Sequence, residues 1–413
     1  MRTQEQKAPE EGQAPDEGPA TPSEGQTTFS ALGVSPDLVA VLDDAGISTP
    51  FPVQRLCIPD ALAGRDVCGK AKTGSGKTLA FGLPLVERVE PASPRRPTGL
   101  VLVPTRELAV QVASVLRPLL RARALRLVTV YGGAQMGKQI AGLQAGAEIV
   151  VATPGRLIDL IDRGIADLGD VGNVVIDEAD RMADMGFLPQ VEWVLRHIGR
   201  SHQTLLFSAT LDGGIQGLVD RYQRDPVFHE VGSTTHTVDE MAHRFLLVHE
   251  MDKPRVAAAI SRSGSRCLVF VNTKRAADRV ARQLGDAGVD ARAIHGDLRQ
   301  EVRERALKRF AAGKLAVLVA TDVAARGLDI DELDIVIQYD PPPDPKTYLH
   351  RAGRTARAGA AGLAVTLVLW NEELAVRRVK RGLGLEEPIV EMFSNDERLA
   401  DLAGWDPAEE GAA

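Results

Sequence analysis

The run Ala71-Lys72-Thr73-Gly74-Ser75-Gly76-Lys77-Thr78 constrains this chain more than any other feature. It follows Asp66-Val67-Cys68, which reads as the end of a short strand, and opens a helical pattern from Thr78. Strand, glycine-rich turn and helix in direct succession belong to layered α/β folds. Glycines let backbone N–H groups turn toward phosphate oxygens, Lys77 adds a point charge, and the Thr78 hydroxyl can ligate Mg²⁺. The usual fingerprint begins with glycine, and here Ala71 stands in that place. Further on, the apolar run Asn173-Val174-Val175-Ile176 reads as a buried parallel strand and ends in Asp177-Glu178-Ala179-Asp180. Carboxylates at a strand's C-terminal edge stand where α/β sheets place their ligands. Together the two stretches predict a nucleoside triphosphatase that uses Mg²⁺.

The 413 residues are enough for two or three domains, and 44% hydrophobic content is ample for packed cores. No apolar run approaches the ~18 residues of a membrane span. The first residues lack a basic segment followed by an apolar one, so no secretory leader is expected. Cys57, Cys68 and Cys267 are scattered, form no metal-ligand spacing and suit a reducing, cytoplasmic setting. The net charge of −7 is unevenly spread: residues 1–28 carry −4 and residues 385–413 carry −8, leaving a body of +5. A basic body between acidic ends suits a polyanionic partner.

Residues 1–28 are rich in Pro, Gly, Glu and Gln, and their composition predicts a disordered acidic tail. From Phe29 to 230, apolar runs at Leu100–Val103, Glu148–Val151, Val174–Ile176 and Thr204–Phe207 alternate with helical patterns such as Arg106–Leu120. Around Phe228–Met241 the pattern lapses, and residues 231–243 are assigned as a linker. A second series over 244–384 has runs at Cys267–Val271, Ala291–Ile294, Ala316–Val319, Ile335–Gln338 and Ala364–Leu369. It lacks a phosphate loop, so a nucleotide held between two similar α/β lobes is expected. Residues 385–413 lose periodicity and read as an acidic tail in which Phe393 and Trp405 can pack locally.

Several further segments recur in a telling order. They are Gly46 to Gln54, Pro104-Thr105-Arg106-Glu107-Leu108, Gly132-Gly133, Thr153-Pro154-Gly155-Arg156 and Ser208-Ala209-Thr210. The second series adds Val269 to Thr273, Gln300-Glu301-Val302-Arg303, Ala320 to Asp329, and His350-Arg351-Ala352-Gly353-Arg354-Thr355-Ala356-Arg357. With the phosphate loop and Asp177-Glu178-Ala179-Asp180, this order over residues 29–380 resembles the DEAD-box RNA helicases of helicase superfamily 2. The resemblance implies two tandem RecA-like α/β domains, each a parallel sheet flanked by helices, with ATP and Mg²⁺ in the cleft between them.

It also implies roles. Thr73, Gly74, Ser75, Gly76, Lys77 and Thr78 would cradle the phosphates, with Gly327 and Asp329 near the ribose. The Gln54 amide donates and accepts at once, which suits the adenine edge; the alternative is a helix cap. The family usually stacks an aromatic on adenine where this chain has Ile47. Either Ile47 packs against the base, or Phe29 or Phe51 supplies the ring. Thr78 and Asp177 would hold Mg²⁺, and Glu178 would orient and deprotonate the attacking water. Arg354 and Arg357, three apart and so on one helical face, would reach the γ-phosphate as arginine fingers once the lobes close. Ser208 and Thr210 either couple the ATP site to the cleft or cap a loop; Asp180 and His350 join the coupling set. Pro104, Thr105, Arg106, Gly133, Thr153, Arg156 and Thr321 would contact the RNA backbone without reading bases.

Three functional classes fit these residues. The first is an ATP-dependent RNA helicase, monomeric and guided to its substrate by a protein partner. The second is a DNA translocase of the same superfamily. The third is an RNA clamp that uses ATP only to lock.

Overall fold

The computed structural model describes residues 27–71, 74–199, 201–211, 213–231, 241–325, 333–355 and 362–407. Fourteen strands among these residues form two sheets of seven. In the first lobe the strands are β1 (Val67–Lys70), β2 (Gly99–Leu102), β3 (Leu127–Val130), β4 (Ile149–Ala152), β5 (Asn173–Asp177), β6 (Gln203–Ser208) and β7 (Val227–Glu230). Its helices are α1 (Pro36–Asp44), α2 (Pro52–Leu62), α3 (Lys77–Arg88), α4 (Arg106–Ala122), α5 (Met136–Gln144), α6 (Pro154–Asp162), α7 (Ala179–Asp184), α8 (Leu188–Arg196) and α9 (Gly213–Tyr222). The second lobe holds β8 (Met241–Leu247), β9 (Cys267–Val271), β10 (Ala291–Ile294), β11 (Val317–Thr321), β12 (Ile335–Gln338), β13 (Gly362–Val368) and β14 (Ile389–Glu391). Between them run α10 (Lys253–Arg262), α11 (Lys274–Asp286), α12 (Gln300–Ala311), α13 (Asp322–Ala325), α14 (Pro345–Ala352) and α15 (Glu373–Leu383).

The strand orders are β3-β4-β2-β5-β6-β1-β7 and β10-β11-β9-β12-β13-β8-β14, every pairing parallel. Numbered within each lobe, these are the same order, so the lobes repeat one topology. Each strand feeds two cores because successive side chains point to opposite faces. Val175, Leu205 and Phe207 join one core, while Val174, Ile176 and Leu206 join the other. Cys267, Val269 and Val271 likewise split from Leu268 and Phe270. Burial of each large apolar side chain contributes roughly 1.5–3 kcal/mol, which is why these short strands need no polar face. The three cysteines are packing residues, and burial pushes the Cys267 thiol up to about 12.

Three expectations shift. The strands β3, β7, β8 and β14 lack the continuous apolar signal of the others, and β8 starts at Met241, inside the segment assigned as linker. Residues 232–240 of that linker and residues 1–26 of the N-terminal tail lie outside the described residues. The segment from 385 to 407 is part of the second lobe: β14 pairs with β8, and Met392, Leu399 and Leu402 are buried. Arg244 donates to the carbonyls of Leu402 and Trp405, and Arg244 and Arg398 lie over the Trp405 ring. A three-residue strand and irregularly spaced anchors carry no helical or strand period, so the acidic composition alone was visible.

Candidate nucleotide and RNA site

Strand order sorts the candidate residues into two groups. The turns after β1, β5 and β6 carry the phosphate loop, Glu178 and the Ser208–Thr210 turn, and these three strands are neighbours. The turns after β3, β4 and β2 carry Gly133, Thr153 and Pro104-Thr105, and these are the neighbours on the other side of β5. Both sets stand at the C-terminal edge of one sheet, where α/β folds bind ligands.

In the phosphate loop, Gly74 and Gly76 have φ of 82° and 88°, a region that side chains disfavour. A Cβ on Gly76 would also stand 2.5 Å from the Gln54 amide and 2.8 Å from the Phe51 ring. Ala71 anchors the loop through its N–H to the Ser208 carbonyl at 2.9 Å. Ser75 and Thr78 lie in the described part of the loop; Thr73, Gly327, Asp329 and Arg357 lie outside the described residues.

Lys77 opens α3 and forms a 2.8 Å ion pair with Glu178, both side chains almost wholly buried. Burial opposes the Lys77 charge, but Glu178, Asp177 and Asp180 outweigh it and hold the ammonium above its ordinary range. Burial likewise works against Glu178, yet Lys77, Arg181 and Arg354 keep it well below the usual carboxylate range. Glu178 is therefore an ionised carboxylate held in place. Its backbone is left-handed at φ 56°, uncommon for a residue with a side chain and a form of strain that clusters at functional sites.

Asp177 is different. Burial, with the neighbouring Glu178 adding and Lys77 opposing, pushes it up to about 7. Its Oδ1 is buried with no hydrogen-bond partner, as is Oδ1 of Asp180. An orphaned carboxylate beside a phosphate loop fits a hard divalent cation, with the Thr78 hydroxyl as the second protein ligand. Ser208 bridges the two turns: its hydroxyl accepts the Asp180 N–H at 3.1 Å and donates to the Thr210 carbonyl at 2.6 Å. The Thr210 hydroxyl is buried without a partner.

Gln54 is the third residue of α2. Its Oε1 accepts the Phe51 N–H at 2.8 Å, and its Nε2 donates to the Gly76 carbonyl at 2.9 Å. It caps the helix and latches the phosphate loop at once. Phe29 is 2% exposed inside the core, so its ring cannot reach a base. Ile47 is half-buried and packs on the same core. Phe51 is 56% exposed with its ring edge beside Gly76.

The arginines of the second lobe do not share a helical face. The helix α14 ends at Ala352 and Gly353 caps it, so Arg354 lies beyond the helix. Glycine is a poor helix former, and a Cβ there would crowd the Leu349 carbonyl at 2.9 Å. Arg351 points inward, donating to both Asp322 oxygens at 2.7 and 2.8 Å, to Asn272 and to the Asp340 carbonyl. Arg354 is buried and acts electrostatically on Glu178 across the cleft. His350 sits one helical turn earlier, near Asp344.

Thr105 caps α4 by accepting the Leu108 N–H at 3.3 Å, and Pro104 is buried. Arg106 packs against Gly133 and donates to Gln300 of α12 at 3.4 Å. Beside it Glu107 pairs with Arg303 at 2.9 Å, a buried ion pair between lobes. Lys346 and Asp184 add a third interlobe contact at 3.0 Å. Thr153 precedes α6, one Arg156 nitrogen is buried without a partner, and Thr321 ends β11. Sequence reading assigned no role to Glu107, Gln300, Arg303, Asp184 or Lys346; the Gln300–Arg303 motif was the one available signal.

The DEAD/DEAH box helicase model matches residues 51–217, and the helicase conserved C-terminal domain model matches residues 252–359. The chain is 41% identical to the DEAD-box ATP-dependent RNA helicase CshA of Bacillus licheniformis over 86% of this chain and 73% of that protein. It is 41% identical to the ATP-dependent RNA helicase DeaD of Escherichia coli K12 over 90% of this chain, which spans 59% of DeaD. Its fold matches S. cerevisiae Dbp5 bound to RNA and ADP BeF3 with a TM-score of 0.78, 29% identity and coverage of 89% of this chain and 96% of that one. Phosphate loop, acidic strand end, interlobe arginine and these likenesses lead to one conclusion: the chain belongs to the DEAD-box family of ATP-dependent RNA helicases.

Proposed function

We propose that this chain hydrolyses ATP while its two lobes clamp single-stranded RNA, opening short duplexes locally. The Lys77–Glu178–Arg354 arrangement, drawn from both lobes, carries this reading. The phosphate loop binds the triphosphate, with Lys77 released from Glu178 to a phosphate oxygen. Thr78 and Asp177 hold Mg²⁺, which supplies charge neutralisation at the β- and γ-phosphates. Glu178 then orients water and takes its proton, and Arg354, with Arg357, stabilises the developing charge. Gln54 reads the adenine edge after leaving the Gly76 carbonyl, and the exposed Phe51 ring supplies the apolar wall that Phe29 cannot.

Arg106, Gly133, Thr153, Arg156 and Thr321 track the sugar–phosphate backbone, so binding is salt-dependent and nearly sequence-blind. ATP and RNA both favour the closed lobes and so bind cooperatively, by a coupling of about 1–3 kcal/mol. The chain acts in the cytoplasm as a monomer and takes its choice of RNA from a protein partner; no described helix is long and apolar enough to cross a membrane. The test is steady-state ATP hydrolysis with no nucleic acid, with single-stranded RNA and with DNA of the same sequence. Stimulation by RNA alone is expected; equal stimulation by DNA would move the reading to a DNA translocase, and hydrolysis without unwinding to an RNA clamp.

A further inference from the structure

The second lobe repeats the first, so it has its own turn at the position of the phosphate loop. That turn, residues 248–252, leads from β8 into α10, as residues 71–76 lead from β1 into α3. It contains no glycine, and Met251 at its tip is 80% exposed. The lysine that opens α10, Lys253, is 4% exposed, lies 5.0 Å from the Tyr339 ring centre and pairs with Glu372 at 3.6 Å. No free cation faces outward there, so the turn is not built for phosphate.

Around it stand three more large apolar side chains in water. Trp370 is 82% exposed, Leu374 75% and Phe393 50%. They gather here because β13, β8 and β14 are neighbours in register: Val368 and Glu391 both pair with Leu247. The chain is also pinned at this edge. Asp252 accepts from the Ser394 N–H and hydroxyl, both at 2.7 Å, next to Phe393. Glu372, the partner of Lys253, accepts the Leu369 N–H at 2.9 Å, next to Trp370. Scattered exposed apolar residues need no explanation, whereas a gathered and pinned set marks a contact surface.

Charge decides what the surface takes. The segments that carry the four side chains hold Glu250, Asp252, Glu372, Glu373 and Glu391, against Lys253 alone, which is buried and paired. The nearest further cations are Arg255 and Arg377, the latter paired with Glu373 at 2.6 Å. An acidic rim repels RNA and anionic lipid headgroups and attracts a cation. We propose that the edge formed by Met251, Trp370, Leu374 and Phe393 docks a cationic amphipathic segment of a partner protein, apolar side chains seated on Trp370 and Met251 and lysines or arginines against Glu250 and Glu391. Buried aromatic anchors dominate such interfaces, so Trp370 is the centre of the contact. The proposal stands apart from the nucleotide and RNA site, since none of these residues belongs to it.

The test uses the full chain and a labelled helical peptide of Leu and Lys in amphipathic order, with a Leu/Glu peptide of the same pattern as control. Fluorescence anisotropy should show binding of the Leu/Lys peptide only. Trp370→Ser with Met251→Ser, and separately Glu250→Lys with Glu391→Lys, should each weaken it by about tenfold or more, near 1.4 kcal/mol. RNA-stimulated ATP hydrolysis should be unchanged in both variants, which also reports that they fold. Equal binding of both peptides, or undiminished binding by either variant, would overturn the proposal. So would a dimer of the parent chain that Trp370→Ser abolishes, because the surface would then belong to a second copy, or binding to anionic vesicles with the same dependence on Trp370.

Discussion

In the first lobe, the turn after β1 has two glycines at positive φ, an anchor to the Ser208 carbonyl and a lysine that meets Glu178 at its far end. In the second lobe, the turn at the same place in the same sheet order offers Met251 to solvent and keeps its lysine neutralised by Glu372. The edge of a parallel sheet is a general place for a ligand; whether that ligand is a phosphate depends on glycine, charge and an open N–H. The second lobe contributes to ATP chemistry from elsewhere, through Arg354 beyond α14, and to the RNA track through Thr321 and α12. Duplication of topology did not duplicate the site. It divided one reaction between a lobe that binds and a lobe that completes.

This division can be broken at its seam. Arg354→Ala leaves every residue of the phosphate loop in place, yet RNA-stimulated kcat should fall by about 10³-fold or more, the usual worth of an arginine finger. ATP binding measured by fluorescent-analogue titration should change far less. A fall confined to binding would place Arg354 outside the chemistry.

Each lobe should also fail separately. Leu402→Ala empties a fully buried position in the 385–407 segment and should destabilise the second lobe by about 2–5 kcal/mol. Denaturant unfolding followed by Trp405 and Trp370 should shift to lower midpoint, while Trp193 in the first lobe keeps its own transition. A variant as stable as the parent would return this segment to the status of a tail.

The smallest effect tests communication. Glu107→Gln leaves Arg303 buried without its counter-charge between the lobes. The prediction is a loss of about 1–3 kcal/mol in the mutual strengthening of ATP and RNA binding, with either ligand alone bound nearly as before. Titrating ATP analogue with and without RNA measures it, and an undiminished coupling would mean that closure does not pass through this pair.

Much of the site was legible before any coordinates. The phosphate loop, the acidic strand end and the distant basic cluster each carry a local signature, because backbone turns, strands and helix starts demand particular residues within a few positions. The two-lobe plan was legible from the second run of buried strands without a second loop. Other features had no local mark. Gln54 reads equally as a base ligand or a helix cap, and the structure shows it spanning from the Phe51 N–H to the Gly76 carbonyl. Phe29 and Phe51 look alike as candidates for a base platform, and burial alone separates them.

By itself, then, the sequence determined the layered α/β class, the strands that alternate between two cores and the residues able to meet a phosphate, since each of these depends on composition and spacing along the chain. Only the tertiary structure decided that β2, β3 and β4 gather one set of turns and β1, β5 and β6 the other, that Glu107 meets Arg303, and that residues 385–407 complete a lobe. Strand order and interlobe contact join positions far apart in the chain, and the energy that selects them, burial against a neighbour, is not written in any single segment.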